Sequence, residues 1–154
     1  MRLHARRRGA VLVEFMVTLV PVLTTFFTFV QLSKVATARL MVKHAAIVGA
    51  RAAAVMANGK GNLPDQPKGT NEAEIKNGVK NALGPWWSKK GGITSVDITI
   101  KDASTKADPY DWVEVKVVAS YACTVPMGWL ACAGPAKRIE ETFKMPHQGA
   151  VYEM

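Results

Sequence analysis

Little in this chain of 154 residues invites metal or acid–base chemistry, for it holds two cysteines and three histidines. Cys123 and Cys132 form no CxxC pair and have no histidine beside them, and His4, His44 and His147 lie too far apart in sequence to read as ligands. No nucleophile stands in a pattern with a base and a third orienting group, and no paired-carboxylate cleft is legible. An enzyme is therefore not expected, and neither is a metal or a cofactor. The formal charge of +8 does not point to nucleic acid, because Arg2, Arg6, Arg7 and Arg8 supply half of that excess. The other basic residues are scattered from Lys34 to Lys144, with no basic helix face and no aromatic ladder on which bases would stack.

Charge is scarcest in the first third. Residues 10–30 read AVLVEFMVTLVPVLTTFFTFV, twenty-one residues with a single charge. As a helix this run spans roughly 30 Å, the thickness of a bilayer core. Thr18, Thr24, Thr25 and Thr28 can bond back to helix carbonyls, and Pro21 is tolerated in a membrane helix. The arginine cluster outweighs the dilute Lys34, Arg39 and Lys43, so the amino end is expected in the cytoplasm and the remainder outside it. No small-x-small cleavage site follows Phe29 and Val30, so the segment is expected to stay as an anchor.

Beyond Gln31 the chain continues KVATARLMVKHAAIVGARAAAVMA with no breaker before Asn58-Gly59. The helix is expected to run over 10–57, roughly 70 Å, well past the membrane. Ala45, Gly49 and Ala53 recur at four-residue steps, as do Ala46, Ala50 and Ala54. They make a small-residue face for close packing of another helix, unless the alanines serve helix propensity alone.

Glu14 does not fit the run around it. A carboxylate one turn inside an apolar segment asks for a partner, or for a place close enough to the membrane edge to stay hydrated. If a peptidase cut after Gly9, the new amino terminus at Ala10 would be a cation at nearly the same depth, able to meet Glu14 of a neighbouring subunit. Such a pair sets axial register, because any slip leaves both charges unpaired in hydrocarbon.

RRRG at 6–9 followed by AVLVEF at 10–15 resembles the class III processing site of type IV pilins and pseudopilins. Glu14 followed by Phe15 is closer to the Flp and TadE-like branch of tight-adherence (Tad) systems. HAAIVGARAAA at 44–54 is similar to the alanine-rich segment after the hydrophobic helix of TadE-like proteins. The resemblance covers about Arg7 to Ala54. It implies cleavage between Gly9 and Ala10 by a prepilin peptidase, with Glu14 and Phe15 as the assembly and register contact. The partners it implies are other pilins or pseudopilins, met through the N-terminal helix, an inner-membrane assembly platform and membrane lipid.

Residues 58–70 are rich in glycine, proline and polar residues, the composition of a loop that separates the rod from a small domain at 71–154. Asn71 with Glu74 reads as a helix cap, Ile75, Val79, Ala82 and Leu83 as a buried face, and Gly84-Pro85 as the stop. Trp86 and Trp87 either close a small core, offer a binding platform or touch the outer face of the membrane. Alternation predicts a strand over 93–101 with Val96, Ile98 and Ile100 inward, and a second through Val113, Val115, Val117, Ala119 and Tyr121. A third, over 138–145, turns Ile139, Phe143 and Met145 inward, with Glu141 the exception. The expected fold is α+β: a long N-terminal hydrophobic helix, then a short helix packed on a three-stranded antiparallel sheet. Asp102, Asp108 and Asp111 lack the spacing of a calcium loop and read as a hairpin connection. Cys123 and Cys132 are expected to form a disulfide, around an apolar tip of Met127, Trp129 and Leu130 that is folded inward or presented to a partner.

The expected function is that of a minor pseudopilin, a non-enzymatic assembly subunit of a Tad-type pilus involved in surface adherence. The alternative is an uncleaved signal-anchored envelope protein with a small extracytoplasmic binding domain. A type II secretion pseudopilin would share the processing chemistry but usually shows a different run after the glycine.

Overall fold

The computed structural model describes residues 3–63, 68–87, 92–126 and 128–148, and only the backbone of residues 3–9 and Thr70. Met127 and the side chains of the arginine cluster lie outside the described residues. Helix α1 runs unbroken over Leu3–Met56, 54 residues, and begins before the expected start at Ala10. Pro21 sits inside it. The hydroxyls of Thr18, Thr24, Thr25 and Thr28 donate to carbonyls three or four residues earlier, that of Thr25 to the carbonyl of Pro21 itself at 3.0 Å. These bonds satisfy the polar hydroxyls along the helix itself.

Strand β1, Ala57–Asn58, follows at once and pairs antiparallel with β2, Gly69–Thr70. Helix α2, Glu72–Leu83, buries Ile75, Val79 and Leu83, three of the four residues of its expected apolar face. Asn71 occupies the N-cap position with no side-chain cap; its carbonyl accepts the N–H of Ile75 at 3.0 Å, so the expected capping box is not formed. A single 3-10 turn over Gly84–Trp86 ends the helix. Strands β3 (Ile93–Asp102), β4 (Trp112–Ala122) and β5 (Ala136–Pro146) then form an antiparallel meander in the order β3-β4-β5, with the one-turn helix α3, Trp129–Cys132, between the last two.

The strands alternate as the sequence predicts. Val113, Val115, Val117, Ala119 and Tyr121 of β4 are buried, while Glu114, Lys116 and Glu140 face outward, where Lys116 pairs with Glu140 and Lys144 with Glu114. Ile93 and Val96 are three apart and would point to opposite faces of a regular strand. A register shift between Ile93 and Ser95 inserts one residue, which lets Ile93 stay buried while Val96 packs on the same core.

The loop after Asn58 does not separate a rod from a domain. The second half of α1 is the central element of the domain, with Ala38, Val42, Ala45, Ala50, Ala53 and Ala54 fully buried. Helix α2 is too short to cover the inner face of a sheet of ten- and eleven-residue strands. The alanine-rich half of α1 supplies the missing cover, and the two helices and the sheet share one core.

The domain lies along α1 in a defined direction. Gln31 meets Cys132, Arg39 meets Glu141, and the carbonyl of Ala54 accepts the N–H of Gln148. From Gln31 to Ala54 the helix rises about 35 Å. One end of the domain, carrying the disulfide, therefore lies where the apolar run stops; the other, carrying the turn between β3 and β4, lies farthest from it.

Candidate functional site

The first half of α1 carries an uncovered apolar belt. Its most apolar stretch, within a helix long and apolar enough to cross a membrane, has none of its residues buried. Val11, Phe15 and Phe29 are each more than half exposed. So large a continuous apolar surface needs lipid or other helices to cover it. Glu14 stands exposed in this belt, and among the described residues no ion pair involves it. Its backbone carbonyl and that of Phe15 receive the hydroxyl of Thr18 at 3.1 and 3.0 Å. Gly9 and Ala10 lie in continuous helical backbone one turn before Glu14.

The small-residue face lies farther along and is already occupied. Ala45, Gly49 and Ala53 pack beneath α2 and β4 of their own chain. A Cβ on Gly49 would stand 2.5 Å from Cγ2 of Val79 and 3.2 Å from Cγ1 of Val115. The helix that approaches this face is thus α2, and the face is closed to a second chain.

At the end of the belt a loop folds back against the helix. Cys123 and Cys132 are disulfide-bonded. Gln31, fully buried, receives the N–H of Val125 at 3.3 Å and directs its own amide toward Sγ of Cys132 at 3.5 Å. Gly128 lies so close to Gln31 that a Cβ there would be 3.0 Å from its Oε1. Trp129 and Leu130, next in the chain, face outward. Trp86 and Trp87 are half-buried at this same end, Trp86 against Tyr121 with ring centroids 6.4 Å apart. No family model, curated protein or solved structure matches the chain.

The far end holds a polar network that sequence reasoning missed. The Nε2 of His147 donates to Oδ1 of Asp102 at 3.0 Å, and the same oxygen accepts the N–H of Ser104 at 2.9 Å. The His147 side chain is fully buried. Burial alone pushes the Asp102 carboxyl up, but the hydrogen bonds from Ser104 and His147, with the field of the imidazole, outweigh it and hold the group below its ordinary range. Asn62 donates to the carbonyl of Ser104 at 2.9 Å, and the backbone N–H of His147 donates to Asp111 at 3.2 Å. The network ties the end of β5 and the loop after β1 to the turn between β3 and β4. Asp108 and Asp111 serve that turn, the latter accepting the N–H of Trp112 at 2.7 Å. No group of acidic, histidine or cysteine side chains among the described residues is arranged to hold a metal ion.

Proposed function

We propose that this chain is a TadE-like minor pseudopilin, an assembly subunit of a Tad-type pilus. It is anchored by the belt of α1 in the inner membrane, with its amino end cytoplasmic and its domain outside. A prepilin peptidase removes the arginine-rich leader after Gly9. The bared belt then packs against related pilins or pseudopilins and the assembly platform, and surface adherence is the outcome.

The observation that carries this reading is Glu14, exposed in an otherwise uncharged belt with no cation of the described residues beside it. A carboxylate at that depth is stabilised by an opposite charge. The amino group created at Ala10 is such a charge, and in a bundle of like helices the Ala10 amine of one subunit meets Glu14 of the next. The division of α1 supports the same reading, because its second half is filled by its own domain while its first half has no cover within the chain.

The deciding measurement is the intact mass and amino-terminal sequence of the protein taken from its native membrane, with and without the prepilin peptidase. Cleavage before Ala10 that depends on the peptidase is the expected result. A chain that keeps Arg6 to Gly9 in both samples sinks the proposal and leaves a signal-anchored binding protein. Glu14→Ala supplies the second arm: the variant inserts and folds but no longer co-purifies with partner pseudopilins.

A further inference from the structure

We propose that the disulfide-bonded end of the domain rests on the lipid bilayer from which α1 emerges, with Trp129 and Leu130 seated at the boundary between headgroups and acyl chains. This rests on the reading of α1 as a membrane span, and it adds a second attachment that the span does not require.

Position is the first ground. Gln31 is the residue immediately after the apolar run 10–30, so it marks the level at which the helix leaves hydrocarbon. At that level the chain pins the disulfide loop to the helix, through the Val125 N–H on Gln31, the Gln31 amide on Cys132 and the close approach of Gly128. Trp129 follows Gly128 directly and is therefore held beside α1 at the level of Gln31.

Exposure is the second. Trp129 is 63% exposed and Leu130 49%, although both are large and apolar, and Phe29 and Leu32, on either side of Gln31 in the helix, are exposed as well. Tryptophan suits the interface because its ring seeks the acyl chains while its N–H seeks the wet headgroups. Trp86, half-buried against Tyr121 at the same end of β4, adds a second indole to that end.

Charge is the third. From Val117 to Ala136 the chain holds no charged residue, and the ions nearest the loop, Lys137 and Arg138 of β5, opposite Tyr121 and Ser120, and Lys34 on α1, are cations, whose long side chains reach the headgroup level. The opposite end of β4 differs. There Trp112 lies beneath the ammonium of Lys144, 4.1 Å from its ring centroid. It stands about 30 Å from Tyr121 along the strand and serves as an internal control.

The test uses the full chain reconstituted in phosphatidylcholine vesicles, with and without phosphatidylcholine brominated near the headgroup end of its acyl chains. Tryptophan emission is compared for the native protein, Trp129→Phe and Trp112→Phe, with Trp129→Tyr as a second probe should the phenylalanine variant lose its near-ultraviolet circular dichroism. Brominated lipid is expected to remove part of the native emission. That quenched fraction falls in the Trp129 variants and rises in Trp112→Phe, which has lost an emitter beyond reach of the bromines. If the quenched fraction is unchanged in the Trp129 variants and aqueous iodide reaches Trp129 instead, the docking is overturned while the span stands. Protection of Trp129 that follows protein density rather than bromine content also overturns it, in favour of a second copy of the chain. A protein that fails to float with vesicles removes both the span and the docking.

Discussion

The two halves of α1 are one continuous helix, yet they are built for different neighbours. The first is made of valine, leucine and phenylalanine with their side chains exposed, Val22 at 62% and Phe26 at 59%. The second turns Ala38, Ala45, Ala46, Gly49, Ala50, Ala53 and Ala54 toward its own domain and buries them. Lipid chains are fluid and conform to any surface, so a span needs apolarity but no particular shape. A sheet and a second helix are rigid and close-packed, and they reach the backbone of α1 only where side chains are small. Charge already separates the two halves, with one charged residue in 10–30 and four in 34–56; side-chain size says what the second half is packed against.

Gly49→Leu breaks this comparison most sharply. Even the first carbon of the new side chain meets Val79 and Val115, and the core has to part to admit the rest. The expected cost is about 3 kcal/mol or more, read from urea unfolding of the detergent-solubilised protein. Val22→Leu, on the uncovered half, is expected to change stability by less than about 0.5 kcal/mol. Equal losses in the two variants would mean that the belt is also packed against protein.

The disulfide gives the next largest effect. It closes a short loop at the end of the domain nearest the apolar run, and its removal by Cys123→Ser with Cys132→Ser is expected to cost about 2.5 to 3 kcal/mol in the chain-entropy description. The loss should appear in the same unfolding measurement. It should be accompanied by greater protease sensitivity at 124–131, where Gln31 would then be the main tether.

How much of this was legible in the sequence depended on whether a residue's meaning was local. The strand pattern of Val113 to Tyr121 and the order of the three strands followed from alternation, because a half-buried strand needs only its own period. The start of α1 at Leu3 lies ahead of the expected Ala10, whereas where it ends followed from the absence of breakers before Asn58-Gly59. The role of its second half did not, since Ala45, Gly49 and Ala53 suit an exposed helix, an intermolecular seam and a domain core equally well. Only Val79 and Val115, 30 and 66 residues after Gly49, distinguish these. The pairing of Asp102 with His147 across 45 positions was likewise invisible. Nothing in the local pattern of either residue announces the other. Glu14 is the opposite case, conspicuous in sequence and without a charged partner among the described residues.

That far-end pair yields a pH-dependent difference between the ends of the domain. Asp102 sits below its ordinary range in the folded chain, so its contribution to stability is present above the unfolded value, near 4. It is lost as pH falls through the lower, folded value. His147→Ala removes one donor from a largely buried carboxylate and is expected to cost about 2 kcal/mol at neutral pH. It also moves the acid loss of stability to higher pH, as seen in urea midpoints taken from neutral pH down to about pH 3. A variant whose acid limb coincides with that of the native chain would show that Ser104 alone holds Asp102 ionised.

Arg39 and Glu141 mark the passage between the two halves of α1 and supply the smallest effect. Glu141 occupies an inward position of β5, between Ile139 and Phe143 and opposite Val117, where alternation calls for an apolar residue. It is tolerated there because Nε of Arg39 reaches Oε1 at 2.7 Å, and the pair stays wet, with the arginine side chain 71% and the glutamate 17% exposed. An ion pair so placed is worth less than about 1 kcal/mol and weakens with salt. A double-mutant cycle of Arg39→Ala with Glu141→Gln should therefore return a small coupling that shrinks further at high ionic strength. A coupling of several kcal/mol that survives high salt would show that the carboxylate is dry and wholly dependent on Arg39. The boundary between the bare and the covered half of the helix would then lie nearer the membrane than Arg39.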